Sequence, residues 1–139
     1  MDIGTLMSKL GKLDVEVLCI NALENNEGLL IELQQKQMTY GKNAKNEEIG
    51  YYRSPFYEEM KNRMNPLAQR RVDLKLTGAF HKGITVLAGK EIIFDSKDNK
   101  TLDLVEKYSE DIFGLNTETI GENNNEFQEI LYKEFKKVL

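Results

Sequence analysis

The sequence predicts an α+β fold in which a small antiparallel β-sheet packs against a long N-terminal helix and a C-terminal helix. Three observations support this class. β-Branched residues flank a turn at 88–90, which predicts a hairpin over residues 84–94. Apolar residues recur at helical spacing between 15 and 38 and again between 127 and 138. A chain of 139 residues can bury about two thirds of its unfolded surface in one core, so residues 1–139 are predicted to form a single domain.

The long N-terminal helix is predicted over residues 15–38, with Asp14 as its N-cap. Its apolar face is expected to consist of Leu18, Ala22, Leu29, Leu30 and Leu33. The two asparagines at 25–26 and the nearby Gly28 are poor helix formers, so a bend or break is expected beside them. Residues 3–13 give a weaker helix prediction because they contain two glycines.

Residues 40–71 are predicted to form an extended loop followed by a short helix, and this segment is the one expected to make interactions. Ser54 is a suitable N-cap, and Pro55 is favoured at the first helical position. Pro66 disfavours helical geometry in Asn65 before it, so the short helix is expected to end there.

Apolar and polar residues alternate over 72–76, which predicts a third strand with one apolar face beside the hairpin. Gly78 follows this strand and is predicted to have a positive φ. The hairpin strands are predicted at 84–87 and 91–94, and a short helix is expected from about 102 to 108. The apolar face of the C-terminal helix is predicted to consist of Phe127, Ile130, Leu131, Phe135 and Val138. Leu131 and Phe135 are expected to bury this helix against the hairpin sheet.

The net charge of −4 conceals a strong asymmetry along the chain. Residues 42–90 hold ten bases and five acids, for a net charge of +5, whereas residues 91–139 hold six bases and twelve acids, for −6. Opposed patches of charge steer association and fix its register more than they supply affinity. Copies of the protein are therefore expected to meet through the acidic C-terminal part of one and the basic middle of another.

No catalytic, cofactor-binding or metal-binding residues are predicted. His81 is the only histidine, which excludes a Ser-His-Asp or Cys-His system and a metal site of several histidines within one chain. The acids around Asp95 lack the Gly and Glu of a calcium loop, and no glycine-rich phosphate-binding pattern is present. An enzyme would have to rely on carboxylates alone. No apolar run approaches the ~18 residues of a membrane span, so no membrane partner is expected.

One stretch of the chain combines aromatic with basic side chains, the composition of surfaces that stack on bases and hold phosphates. It contains Tyr51, Tyr52, Arg53, Phe56, Tyr57, Lys61, Arg63, Arg70 and Arg71. Either these aromatics pack the segment onto the domain or a neighbouring subunit, or the segment binds nucleic acid. The acidic net charge favours the first interpretation. A subunit interface is therefore predicted at Tyr51, Tyr52, Arg53, Phe56, Tyr57, Arg70 and Arg71.

Residues 74–84 read L-K-L-T-G-A-F-H-K-G-I, and this box resembles small structural proteins of crAss-like and other tailed phages that infect gut Bacteroidetes. These are related in pattern to the Mu-type virion morphogenesis and tail-completion proteins. The family pattern has a Tyr-Ser-Pro element, a Thr-Gly box, a hairpin, a Lys-Tyr-Gly to Phe-Gly-Leu box and a C-terminal helix. Its counterparts here are 52–55, 74–80, 84–94, 107–115 and 126–139, with Arg53 interrupting the first and Ser109 in place of the usual Gly.

The resemblance implies a structural subunit of a head–tail connector or tail ring that acts by oligomeric assembly, without catalysis or cofactor. Its implied partners are copies of itself in a ring and the adjacent portal, connector or tail proteins, with DNA only as passing cargo. Its implied location is the neck or tail of the virion, after synthesis in the host cytoplasm. The alternative function is that of a small nucleic-acid-binding regulatory protein that uses residues 51–71.

Overall fold

The computed structural model describes residues 2–75 and 77–138. Its helices are α1 (Ile3–Gly11), α2 (Val15–Glu24), α3 (Glu27–Thr39), α4 (Pro55–Met64), α5 (Ala79–Lys82), α6 (Thr101–Tyr108), α7 (Thr117–Glu122) and α8 (Asn124–Val138). Two strands, β1 (Ile84–Leu87) and β2 (Ile93–Ser96), form one antiparallel sheet. Two short 3-10 helices lie at Pro66–Ala68 and Glu110–Ile112. The predicted α+β fold class is confirmed.

The predicted long N-terminal helix is divided into α2 and α3, because the backbone leaves helical geometry at Asn26 (φ −134°, ψ 38°). The break expected beside the two asparagines is thus confirmed. Asp14 caps α2 as predicted, since its Oδ1 accepts a hydrogen bond from the backbone N–H of Val17 at 3.2 Å. α3 is a central helix of the domain, and its buried residues are Leu30, Leu33, Gln34, Gln37 and Met38.

The predicted hairpin is confirmed, with Ile84 opposite Ser96 and Val86 opposite Phe94. β1 has the predicted bounds, whereas β2 begins two residues later than predicted because the turn between the strands is longer. Val86 and Phe94 are both buried, and β1 packs against α3. The sheet therefore covers one side of α3.

The prediction of a third strand near 72–76 is wrong for residues 72–75, which belong to no strand; Leu76 lies outside the described residues. Val72, Asp73 and Leu74 are all buried, whereas a strand with one apolar face would alternate. Leu74 also has a φ of +60°, a left-handed conformation incompatible with a strand. Asp73 is therefore not an exposed polar residue. The positive φ expected at Gly78 is confirmed at +87°.

The C-terminal helix α8 packs most extensively against α2, which corrects the prediction that it packs against the sheet. The side of α8 that faces inward contains Ile130 and the polar Glu134, whose Oε1 accepts a hydrogen bond from Asn25 Nδ2 at 2.8 Å. With Ile130 and Glu134 facing inward, the neighbouring Leu131 lies nearer the solvent and remains 36% exposed. An apolar groove is left between α8 and β2.

Two buried glutamines of α3 hold the loop before α7 against the core. Gln34 Oε1 accepts from the N–H of Gly114 at 2.8 Å. Gln37 donates to the carbonyl of Gly114 at 2.7 Å and accepts from the N–H of Asn116 at 2.8 Å. The N–H of Asn116 is buried and the backbone of Gly114 is part-buried, so the glutamine amides replace the hydrogen bonds that a neighbouring strand would otherwise provide.

We expect Gln37→Leu to lower the free energy of unfolding by roughly 1 to 6 kcal/mol, since the buried N–H of Asn116 and the part-buried carbonyl of Gly114 each lose a partner, at up to about 3 kcal/mol for each group. Gln128→Leu, at an exposed position of α8, is the matched control and should change stability by no more than about 0.5 kcal/mol. Urea denaturation of both variants measures the difference. Equal midpoints would contradict the role of Gln37.

Candidate interaction site

The short helix of the predicted interaction segment forms as expected from its sequence. Ser54 Oγ accepts a hydrogen bond from the N–H of Tyr57 at 3.3 Å, and Pro55 occupies the first turn. The helix ends before Asn65, whose φ of −143° and ψ of 85° are non-helical, and Pro66 follows. α4 therefore has the predicted start and end.

A buried ion pair holds α4 to the domain. Lys61 Nζ lies 2.9 Å from Asp73 Oδ1, and both side chains are almost fully buried. Lys61 also donates to the carbonyl oxygen of Lys75. Asn65 Nδ2 donates to Asp73 Oδ2 at 2.9 Å and to the carbonyl of Thr39, at the end of α3, at 2.8 Å. Together these bonds fix how α4 is rotated about its own axis.

Three titratable groups of this cluster have shifted pKa values. Burial opposes ionisation of Asp73, but hydrogen bonds from Asn65, Lys61 and the N–H of Lys75 outweigh burial and lower its pKa. Burial, and secondarily the Asp73 carboxylate, raises the pKa of Tyr52. Burial lowers the pKa of His81, so its ring is neutral at pH 7, and its Nε2–H donates to the carbonyl of Asp73 at 2.7 Å.

Because α4 is anchored through its buried side, its other side faces solvent, and that side carries an apolar stripe. Phe56 is 82% exposed and Met64 is 65% exposed, and Met60 lies between them at the same four-residue spacing. Leu67, in the following 3-10 helix, extends the exposed apolar surface. We call these four residues the α4 stripe. Only Phe56 is among the interface residues predicted above, although the Phe-Met-Met spacing is visible in the sequence.

The predicted aromatic residues have different surroundings. The ring of Tyr52 packs edge-on against Tyr57, with their centroids 5.1 Å apart, and its hydroxyl lies 3.5 Å from Asp73 Oδ1. Tyr51 is mostly exposed and pairs through its backbone with Arg71. Of the predicted aromatics, Phe56 is therefore the most exposed, while Tyr52 and Tyr57 pack within the domain.

Of the predicted basic residues, Arg70 and Arg71 form polar contacts within the chain. Arg70 Nη1 lies 3.1 Å from Glu59 and 3.5 Å from Glu58, so it ties the turn after the 3-10 helix to α4. The Arg71 guanidinium donates to the carbonyl of Tyr40 at 2.7 Å and 3.2 Å. Arg53 is exposed and forms no ion pair with the residues that the structure describes.

A cavity of about 370 Å³ lies beside α4 and is lined by aromatic and basic side chains. Tyr51, Tyr52, Tyr57, Phe80 and Tyr108 contribute its rings, and Arg53, Lys61, Lys75, Lys100 and Lys107 contribute its cations. Lys61 is neutralised by Asp73, whereas the other four form no ion pair within the described part of the chain. Among the described residues, Asp98 is the one acid of the lining, and its Oδ2 is buried without a hydrogen-bond partner in this part of the chain. The cavity thus favours an anionic occupant with a flat or apolar body.

Within residues 2–75 and 77–138, no cluster of three or more His, Cys, Asp or Glu side chains has the arrangement of a metal site. The same residues contain no helix with the length and apolarity of a membrane span. Comparison with models of protein families, with curated proteins and with solved structures gives no match.

We expect the stability of the protein to fall as the pH drops below about 6.5, the ordinary pKa of histidine. Folding depresses the pKa of His81, so the unfolded chain binds this proton more readily and the stabilisation present above pH 6.5 is lost on acidification. The slope is at most about 1.4 kcal/mol per pH unit. Urea titrations between pH 7.5 and 5.5 measure it. Since His81 is the only histidine, His81→Gln should reduce the pH dependence of stability between pH 7.5 and 5.5. An unchanged slope would contradict the attribution of this pH dependence to His81.

Proposed function

We propose that this protein is a structural subunit of a bacteriophage head–tail connector or tail ring, which acts by oligomeric assembly and not by catalysis. The observation that carries the proposal is the α4 stripe, a row of large apolar side chains turned to solvent on a helix that is anchored from its other side. The family-like boxes of the sequence supply the phage context. In this proposal the protein is made in the host cytoplasm and resides in the neck or tail of the virion.

The α4 stripe has the composition of an interface core. Phe and Met are enriched at interfaces, and burial of one such side chain contributes about 1.5 to 3 kcal/mol. The stripe is also rigid, because the ion pair of Lys61 with Asp73 and the cap at Ser54 hold α4 in place before any partner binds. A preorganised surface loses little conformational entropy on association, which favours binding.

Charge polarity supports a second copy of the chain as the occupant of this surface. The stripe belongs to the part of the sequence with a net charge of +5, and the last part carries −6. An interface in which one patch meets a different patch on the next copy is heterologous, and repetition of such an interface generates a ring. The adjacent portal, connector or tail proteins would contact the ring from above and below.

We expect the double variant Phe56→Ser, Met64→Ser to weaken self-association about a hundredfold or more, because each side chain contributes at least about tenfold. The variant should unfold at the same urea concentration as the parent, since both residues are exposed. Leu102→Ser, equally exposed at 82% on α6, is the matched control and should associate like the parent. Sedimentation over a range of concentrations measures the mass. Unchanged association of the double variant, or a parent that stays monomeric and does not enter particles, would contradict the proposal.

The cavity beside α4 favours a second candidate, the binding of single-stranded nucleic acid. Four of its cations form no ion pair within the described part of the chain, and four tyrosines line the same cavity. Stacking of a base on an aromatic ring contributes about 1 to 3 kcal/mol. The chain's negative net charge weakens long-range attraction to nucleic acid, which is why assembly is the preferred function.

A titration of a labelled single-stranded oligonucleotide distinguishes this candidate. Binding should weaken steeply with salt, and the triple variant Arg53→Ser, Lys100→Ser, Lys107→Ser should lower the logarithmic salt slope by about 0.7 for each phosphate that the variant no longer neutralises. The control removes three exposed cations from α8, with Lys133→Ser, Lys136→Ser and Lys137→Ser. Absence of binding at low salt, or equal effects of the two triple variants, would exclude the cavity as a nucleic-acid site.

A further inference from the structure

The helix α1 leaves its apolar face uncovered. Ile3 is 75% exposed and Met7 is 67% exposed, Leu10 continues the same face, and no residue of α1 is buried. The helix has nine residues, and isolated helices shorter than about 12 to 15 residues are marginal in water. The cap at Asp2, which accepts from the N–H of Thr5 at 2.7 Å, stabilises only the first turn. An amphipathic helix of this length gains most of its stability by docking its apolar face.

The apolar groove between α8 and β2 is a surface that such a helix fits. It has a volume of about 500 Å³. Its walls include Cys19, Ile92, Phe94, Phe127, Ile130 and Leu131, and no residue of α1 lines it. The groove of each chain is therefore not filled by that chain's own α1.

The charges of helix and groove are complementary. Residues 3–12 carry two lysines and no acid. Residues 117–132, which form one wall of the groove, carry four glutamates and neither Lys nor Arg. Of these, Glu122 and Glu126 form no ion pair with other described residues, so this wall of the groove carries uncompensated negative charge. Complementary charge would fix the direction in which the helix enters.

We propose that α1 of one copy inserts its apolar face into the groove of a second copy. This inference deepens the proposed assembly function and rests on it. The donated surface and the receiving surface are different parts of the chain, so each copy can give one helix and receive another. Repetition of this heterologous interface closes a ring when the rotation between copies permits it. The α4 stripe and the α1 helix would then form two separate interfaces of one assembly.

Cys19, the only cysteine of the chain, provides a direct test because it lies in the groove wall. A tagged chain carrying Met7→Cys and Cys19→Ser is mixed with the unmodified chain and oxidised mildly with oxidised glutathione. The expected product is a disulfide between the thiol introduced by Met7→Cys and Cys19 of the other copy, identified by peptide mass. A disulfide requires Cβ atoms about 3.5 to 4.5 Å apart, so it reports close docking.

The control chain carries Ser8→Cys and Cys19→Ser, which moves the thiol about 100° around α1 from Met7, away from the apolar face. It should cross-link at least about tenfold more slowly, since its thiol would point away from the groove. Equal rates for the two chains, or no cross-link with either, would overturn the inference. A disulfide formed within one chain by the single variant Met7→Cys would also overturn it, because α1 would then fold back onto its own groove.

Sedimentation of the same samples shows whether the chains associate, and this distinguishes failure of the α1 inference from failure of the proposed assembly function. Self-association that depends on Phe56 and Met64 but gives no cross-link would refute α1 insertion and leave the assembly function standing. A cross-link between copies whose association is indifferent to Phe56 and Met64 would support α1 insertion and refute the role of the α4 stripe. A parent that stays monomeric, together with no cross-link from the chain that carries Met7→Cys and Cys19→Ser, would refute both.

Discussion

The carboxylate of Asp73 is the group on which the position of α4 depends. It receives hydrogen bonds from Lys61 of α4, from Asn65 just after the end of α4, and from the N–H of Lys75. The carbonyl of Asp73 receives one from His81. Asn65 adds a bond to Thr39 at the end of α3. Removing one partner of such a buried pair typically costs about 3 to 5 kcal/mol, because the other charge is left buried and unpaired.

The buried pair does more to orient α4 than to stabilise the fold. Desolvation of two charges offsets much of their attraction, and apolar residues of similar volume often stabilise a core equally well. Apolar packing alone, however, would allow α4 to rotate or slide. Directional hydrogen bonds at Lys61 and Asn65 fix one rotation, and that rotation turns Phe56 and Met64 to solvent. The polar cluster is thus the physical reason that an apolar stripe stays exposed instead of turning into the core.

Elements that are determined by neighbouring residues are predictable from this sequence, whereas the buried cluster around Asp73 that orients α4 is not. The hairpin, the break near Asn26 and the cap at Ser54 follow from neighbouring residues. The alternation at 72–75 predicts a strand only if Asp73 is exposed. Asp73 is instead buried with Lys61, which lies twelve residues earlier in the sequence and meets Asp73 only in the folded chain. Ser109 likewise has a φ of 82° and a ψ of 160°, a region essentially confined to glycine. The phage proteins that the sequence resembles have Gly at this point of their pattern, whereas a serine by itself indicates no such geometry.

The two exposed apolar surfaces differ in rigidity, and this difference has a consequence for the order of assembly. α4 is fixed before it meets a partner, so association through its stripe requires little ordering. α1 is short, has no buried residue, and is joined to α2 by only three residues, so it must be ordered when it docks. When the α4 stripe of one copy docks on the next copy, the two chains are held together, and insertion of α1 into the groove of the neighbour becomes effectively intramolecular. In the proposed ring, association through α4 would therefore come first, and insertion of α1 would add a second interface between copies that are already associated.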